Sequence, residues 1–160
     1  MESIFRLQNR VNYQNFDLRD ERVLDLLYQS NGHGHLSSEK GNADGDDPLC
    51  IDDEAQARRL FKVALEDAGY CVLIVENRTH GLRLLEQQQV DLILVDILIP
   101  DMDGLELILR LRKIRPDNKI IAISGGAIYL DITKHLGAND TLLKPFSVQE
   151  LLATVSSHLN

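Results

Sequence analysis

No apolar run in this 160-residue chain approaches the ~20 residues that a membrane-spanning helix needs. A membrane span is therefore not expected. Cysteine is nearly absent: Cys50 and Cys71 are the only two, and their separation matches no metal or redox motif. That scarcity suits a reducing compartment. The first ten residues, MESIFRLQNR, are too charged for a secretory signal. There is no dominant cluster of Lys and Arg, and the formal net charge is −8, so the chain repels phosphate backbones. A nucleic-acid partner is not expected. The cytoplasm is the expected location. What is present is ordinary globular material, long enough to bury a sizeable core without staples.

The chain changes character near Asp47. Residues 30–47, SNGHGHLSSEKGNADGDD, are rich in Gly, Ser, Asn and Asp and read as a flexible linker. The GHGH of residues 32–35 reads as polar spacer there, not a metal site. Upstream, Leu18, Val23, Leu24, Leu27 and Tyr28 recur at roughly helical spacing, with Asp17 placed to cap the helix. One short amphipathic helix is not stable alone. Two units are expected: an N-terminal extension over 1–47 and a folded domain over 48–160.

From Pro48 onward the pattern alternates. LCID, YCVLIVE, DLILVDI, KIIAIS and TLLKP read as five strands. The helices between and after them are residues 54–69, 80–89, 104–115, 129–137 and 147–159. Gly69 ends the first helix, Pro116 stops the third, and Ser147 with Glu150 forms a capping box on the fifth. Strands that are apolar throughout suit a parallel sheet covered on both faces. The expected fold is α/β: a doubly wound, five-stranded parallel sheet of flavodoxin-like order 2-1-3-4-5 with five helices. The histidines His80, His135 and His158 read as surface residues. Cys50 and Cys71 read as small buried groups within strands. Arg110, Arg112, Lys113 and Arg115 read as a solvated basic face on the third helix.

One carboxylate stands out. In DLILVDILIPDMDGLEL, residues 91–107, Asp96 interrupts two apolar runs. Burying an unpaired carboxylate is costly. In an open α/β sheet, ligands collect at the carboxyl ends of the strands. The first strand ends in Asp52 and Asp53, the third in Asp96, the fourth in Ser124, and the fifth in Lys144. In the order 2-1-3-4-5 these side chains crowd one rim. Crowded carboxylates repel unless a cation intervenes, and an oxygen-rich site of this kind suits Mg²⁺. Lys144 adds a fixed positive charge. Asp96 can then act as a nucleophile toward phosphorus, giving an acyl phosphate. Mg²⁺ and Lys144 would spread the charge on the transferring group, and the Ser124 hydroxyl would hydrogen-bond a phosphoryl oxygen.

At these residues the chain resembles the receiver domain of two-component response regulators, the CheY-like family. The resemblance covers about 48 to 160 and rests on IDDE (51–54), DLILVDILIPDMDGLEL (91–107), IIAISGG (120–126) and GANDTLLKPF (137–146), in the family's order. It implies that Asp96 is the phosphoacceptor. Asp53, Asp96 and the backbone carbonyl of Leu98 would hold Mg²⁺, with Asp52 acting through water. Ser124 matches the switch hydroxyl and Lys144 the lysine that pairs with the phosphoryl group. The bond before Pro145 would be cis, and Pro100 and Gly104 would form the turn into the third helix.

The sequence departs from the family pattern at several points. Thr141 stands where an aromatic switch residue is usual. Leu98 offers no side chain to steer an attacking water, so slow hydrolysis of the acyl phosphate is expected. The interval from Ser124 to Lys144 is slightly short, which suggests an abbreviated fourth helix. The first strand is short and follows an acidic stretch.

The resemblance implies a phosphoacceptor rather than an enzyme, promoting only its own phosphorylation and dephosphorylation. Its donor would be a sensor histidine kinase or phosphotransfer protein. A downstream protein would read the face built by the fourth helix, fifth strand and fifth helix. Because the sequence stops at Asn160, a stand-alone receiver is expected. Two alternatives stay open. One is a haloacid-dehalogenase-like phosphatase, although Leu98 occupies the place of its usual acidic general acid. The other is a phosphate-independent receiver acting only as a binding module.

Overall fold

The computed structural model describes residues 47–97 and 104–159. The expected helix near the N-terminus, the 32–35 segment, Leu98 and Pro100 lie outside the described residues. The described chain runs β1 (Pro48–Ile51), α1 (Ala55–Asp67), β2 (Leu73–Val75), α2 (Arg78–Gln87), β3 (Leu92–Asp96), α3 (Gly104–Ile114), β4 (Lys119–Ser124), α4 (Ala127–Leu136), β5 (Asp140–Leu143) and α5 (Val148–Leu159). Every strand pairing is parallel, and the order is β2-β1-β3-β4-β5, as expected.

The central strands show why their sequences are apolar without a break. Successive side chains alternate between the two faces of a strand, and here both faces are covered. On one face Cys50, Leu92, Leu94, Ile121 and Ile123 pack with Leu60, Phe61 and Leu65 of α1 and Leu151 and Val155 of α5. On the other, Leu49, Ile93, Val95, Ile120 and Ala122 pack with Leu85 of α2, Leu107, Ile108 and Leu111 of α3, and Leu130 of α4. Among the described residues, no helix is long and apolar enough to cross a membrane.

The local signals act largely as read. In the capping box at α5, Glu150 N–H donates to Ser147 Oγ at 3.1 Å and Ser147 N–H to Glu150 Oε2 at 2.7 Å. Asn77 Oδ1 accepts from His80 N–H at 2.9 Å and starts α2 two residues earlier than its periodicity suggests. Helix α4 spans ten residues, as many as α2, so the abbreviation expected for it is slight.

Three readings need correction. Strand β2 is only three residues, because it is an edge strand laddered to β1 alone. Cys71 therefore precedes the strand and is exposed, whereas Cys50 is buried as expected. The basic residues of α3 are also not uniformly solvated. Arg112 donates to the carbonyls of Pro116, Asn118 and Gly137 and to Asn139 Oδ1. Arg115 donates to the carbonyls of Leu85 and Gln88. The two guanidinium groups satisfy carbonyls around the C-terminal ends of α4 and α2, where unpaired acceptors and the helix dipole favour a cation. Arg110 and Lys113 are exposed. Nor is His158 merely a surface residue, since its Nε2 lies 3.1 Å from Asp140 Oδ2.

Gly104 starts α3 against the backbone of Ile97. A Cβ there would overlap the Ile97 carbonyl oxygen and Cα, which cannot swing aside as a flexible side chain would. Gly104→Ala should therefore lower stability by roughly 1–3 kcal/mol, as overpacking does. In urea unfolding the midpoint should fall with the slope unchanged. An unaltered midpoint would contradict this packing.

Candidate functional site: an acidic pocket at the strand ends

The sheet register assembles the pocket. Ile51 pairs with Val95, so Asp52 follows β1 alongside Asp96, the last residue of β3. Asp96 pairs with Ile123, which brings Ser124 to the same edge. Ser124 pairs with Leu143, and Lys144 comes next. Backbone bonds fix this edge. Ile97 N–H donates to Ile123 O at 3.0 Å, Lys144 N–H to Ser124 O at 2.8 Å, and Asp52 N–H to Val75 O at 3.2 Å. The Lys144–Pro145 peptide is cis, as the resemblance implied.

Asp52, Asp53 and Asp96 each bring a carboxylate oxygen to one cluster, all within 4.8 Å of one another. Their exposures differ. Asp52 is 0% exposed and Asp96 is buried, whereas Asp53 faces solvent. Lys144 Nζ donates to Asp96 Oδ2 at 2.6 Å and lies 3.8 Å from Asp52 Oδ2. Glu54 N–H donates to Asp52 Oδ1 at 2.9 Å. Asp52 Oδ2 has no hydrogen-bond partner, the one such buried side-chain atom among the described residues. A buried carboxylate oxygen without a donor is costly. Three converging carboxylates and this orphaned oxygen form a donor set that fits Mg²⁺, a hard cation that binds through oxygen.

Burial pushes the Asp52 carboxyl up to about 7 from its ordinary 3.8. The Glu54 N–H bond and the Lys144 charge pull it down, while the charges of Asp96 and Asp53 push it further up. For Lys144, burial acts to lower the value. The hydrogen bond and charge of Asp96, with the charges of Asp52 and Glu54, outweigh burial and raise it.

The consequence for stability has a definite sign. The folded, metal-free protein holds a proton on Asp52 that the unfolded chain releases near pH 4. Stability from this group is complete below pH 4 and is lost as pH rises through about 7. Asp52→Asn keeps the Oδ1 acceptor and removes a buried charge. In EDTA above pH 7 the variant should be more stable than wild type by roughly 1–3 kcal/mol, and its Mg²⁺ affinity should be lower. Wild-type Mg²⁺ affinity should weaken as pH falls below 7, because protons and metal compete. Thermal unfolding and Mg²⁺ titration across pH check both, and a destabilised variant with undiminished affinity would contradict the assignment.

Two further residues matter. Arg58, in the first turn of α1, donates through one nitrogen to the carbonyls of Asp52 at 2.9 Å and Asp53 at 2.7 Å. It braces the loop that carries both carboxylates, and sequence reasoning missed it. Its only sequence signal is an arginine five and six residues beyond the acidic pair. Thr141 lies on β5 opposite Ala122, three residues before Lys144, and is half-buried.

In a doubly wound parallel sheet, ligands bind outside the carboxyl ends of the strands, and that edge here carries a carboxylate cluster, a paired lysine and a hydroxyl. The family model described as the response regulator receiver domain matches residues 49–156, and the chain belongs to that family. It is 34% identical over 113 residues to the response regulator receiver protein CpdR of Brucella abortus, covering 69% of this chain and 94% of CpdR. It is 35% identical over 113 residues to the uncharacterised transcriptional regulatory protein YkoG of Bacillus subtilis, covering 69% of this chain and 50% of YkoG. The chain thus spans about half or less of the length of several curated relatives. Among solved structures, it superposes with a TM-score of 0.66 and 31% identity on the response regulator TrrA of Thermotoga maritima in complex with Mg²⁺ and BeF, covering 71% of this chain and 99% of TrrA. The chain therefore carries a receiver domain of two-component response regulators, a family of phosphoacceptors that bind Mg²⁺ at the acidic pocket.

Proposed function

We propose that Asp96 accepts a phosphoryl group from a phosphohistidine on a sensor kinase or phosphotransfer protein. The observation that carries this reading is the 2.6 Å bond from Lys144 Nζ to Asp96, inside a cluster of three carboxylates. An Asp96 carboxylate oxygen attacks phosphorus. The phosphorus–nitrogen bond to the donor imidazole breaks, and the imidazole nitrogen keeps the electron pair. Lys144 orients Asp96 beforehand and offers its ammonium to the incoming phosphoryl oxygens. The Ser124 hydroxyl is a donor at the same edge, and Arg58 keeps the Asp52–Asp53 loop in place. Asp53, Asp96 and the Leu98 carbonyl would hold Mg²⁺, with Asp52 acting through water. When bound, the ion would neutralise charge on the transferring group.

The test is incubation with acetyl phosphate and Mg²⁺, followed over time by intact mass. One phosphoryl group should be gained, none in EDTA, and with Leu98 in place the adduct should be lost only slowly. No gain, or rapid loss from the purified protein, would count against this reading.

The chain is proposed to act as a phosphoacceptor without other turnover, in the cytoplasm, with no nucleic-acid contact from its own receiver domain. Its output partner is proposed to bind the face of α4, β5 and α5. Thr141 would contribute to that face without an aromatic ring. The phosphatase alternative predicts turnover of a simple phosphate ester that disappears in Asp96→Asn. The membership of the receiver family and the position of Leu98 favour the phosphoacceptor.

A further inference from the structure

Two aromatic rings hold the corner from which Lys144 reaches the pocket. Strand β5 ends at Leu143, and the chain is tied at Lys144 by its N–H bond to Ser124 O at 2.8 Å. The next anchor is Phe146. It is buried and stacks on Phe61 of α1, with ring centroids 6.2 Å apart and planes 17° from parallel. Aromatic pairs attract at that spacing. Only Pro145 separates the two anchors. The Lys144 side chain is 29% exposed, so solvent leaves it room to stray. A flexible four-carbon stem keeps its ammonium against Asp96 best when its backbone root does not move.

Phe61 has a neighbour at the other side of the pocket. It lies three residues beyond Arg58, and residues at that spacing are adjacent on a helix. Arg58 holds the carbonyls of Asp52 at 2.9 Å and Asp53 at 2.7 Å. Helix α1 therefore grips both halves of the pocket, the acidic pair through Arg58 and the corner of the lysine through Phe61. The helix is itself rooted in the core by Leu60, Ala64 and Leu65.

We infer that Phe61 and Phe146 are positioning residues for phosphoryl transfer, their stacked rings fixing where Lys144 stands relative to the carboxylates. This role rests on the proposed attack of Asp96 on phosphorus and on the part given there to Lys144. The rings act through Lys144 and not on the phosphoryl group. Leucine in place of either ring keeps an apolar filling but removes the flat contact. The corner then gains freedom, and the ammonium meets the transferring group less often in the productive place. A displacement of 1 Å can cost about 10²-fold in rate. Ordinary core packing makes a different forecast: stability falls, and the rate of the folded protein stays.

The test is uptake from acetyl phosphate at saturating Mg²⁺, followed by intact mass, with calorimetric Mg²⁺ affinity and thermal unfolding on the same samples. Phe146→Leu should slow uptake by about tenfold with Mg²⁺ affinity unchanged, and Phe61→Leu should do the same. In Lys144→Ala, adding Phe146→Leu should slow uptake no further, because the ring then has no ammonium to place. Val155→Ala, a buried change farther along α5, should lower stability and leave the rate at the wild-type value. If Phe146→Leu fails to fold, Phe61→Leu decides the matter. A wild-type rate in the folded leucine variants would overturn the positioning role. So would a loss that persists undiminished in Lys144→Ala, one explained by weaker Mg²⁺ binding, or one matched in Val155→Ala. Failure of wild type to gain a phosphoryl group would overturn the phosphoacceptor reading, and a wild-type rate in Lys144→Ala would overturn the part given to the lysine. The positioning role falls with either.

Discussion

Asp96→Asn should take up no phosphoryl group from acetyl phosphate or from a phosphohistidine donor. The substitution exchanges a carboxylate for an amide of nearly the same shape. The amide oxygen still accepts from Lys144 Nζ, so the 2.6 Å contact can survive. What disappears is the anionic oxygen that attacks phosphorus. Loss of one buried charge also relieves Asp52, whose carboxyl is pushed up partly by Asp96. The variant should therefore fold at least as stably as wild type in EDTA. Failed uptake by a stable protein separates lost chemistry from lost structure, with intact mass and thermal unfolding on the same sample. Undiminished uptake by Asp96→Asn would put the acceptor elsewhere.

Lys144→Ala should slow phosphoryl uptake by about 10²–10³-fold, the usual effect of removing one preorganised charge-stabilising donor. The reasoning is electrostatic. Lys144 bonds to Asp96 at 2.6 Å and lies 3.8 Å from Asp52 Oδ2. Removing it leaves the carboxylates intact as metal ligands but strips the ammonium from the transferring group. Mg²⁺ binding should persist while the rate falls. Asp52 also loses a charge that favours its ionised form, so the stability lost in EDTA should be greater above about pH 7 than below it. Lys144→Arg should recover only part of the rate, because a planar guanidinium does not reproduce a compact ammonium in the same space. A rate unchanged in Lys144→Ala, or a loss explained wholly by Mg²⁺ affinity, would remove Lys144 from the transfer step.

Much of this pocket is legible in the sequence because each member closes a strand. Asp96, Ser124 and Lys144 follow apolar runs that can only be covered strands, and a parallel sheet puts all its carboxyl ends on one side. Strand order then makes Asp52 and Asp53 neighbours of Asp96. The division of labour between those two is not legible. Adjacent residues at a strand end point to different sides, and nothing in the pair itself says that Asp52 is the buried one.

Arginine is harder still. Arg58, Arg112 and Arg115 look like ordinary helical surface positions. Their partners are backbone carbonyls brought near by tertiary packing, and a carbonyl leaves no mark in the sequence. Cys71 was misread for a related reason. Its neighbours suit a strand, but an edge strand ends where its single partner ends.

The most direct measurement locates the phosphorus. Protein treated with acetyl phosphate and Mg²⁺ is reduced with borohydride, which converts an acyl phosphate on aspartate to homoserine, and is then mapped by tandem mass spectrometry. The account predicts homoserine at position 96, dependent on Mg²⁺. Conversion at Asp52, Asp53 or any other carboxylate, with position 96 intact, would contradict it.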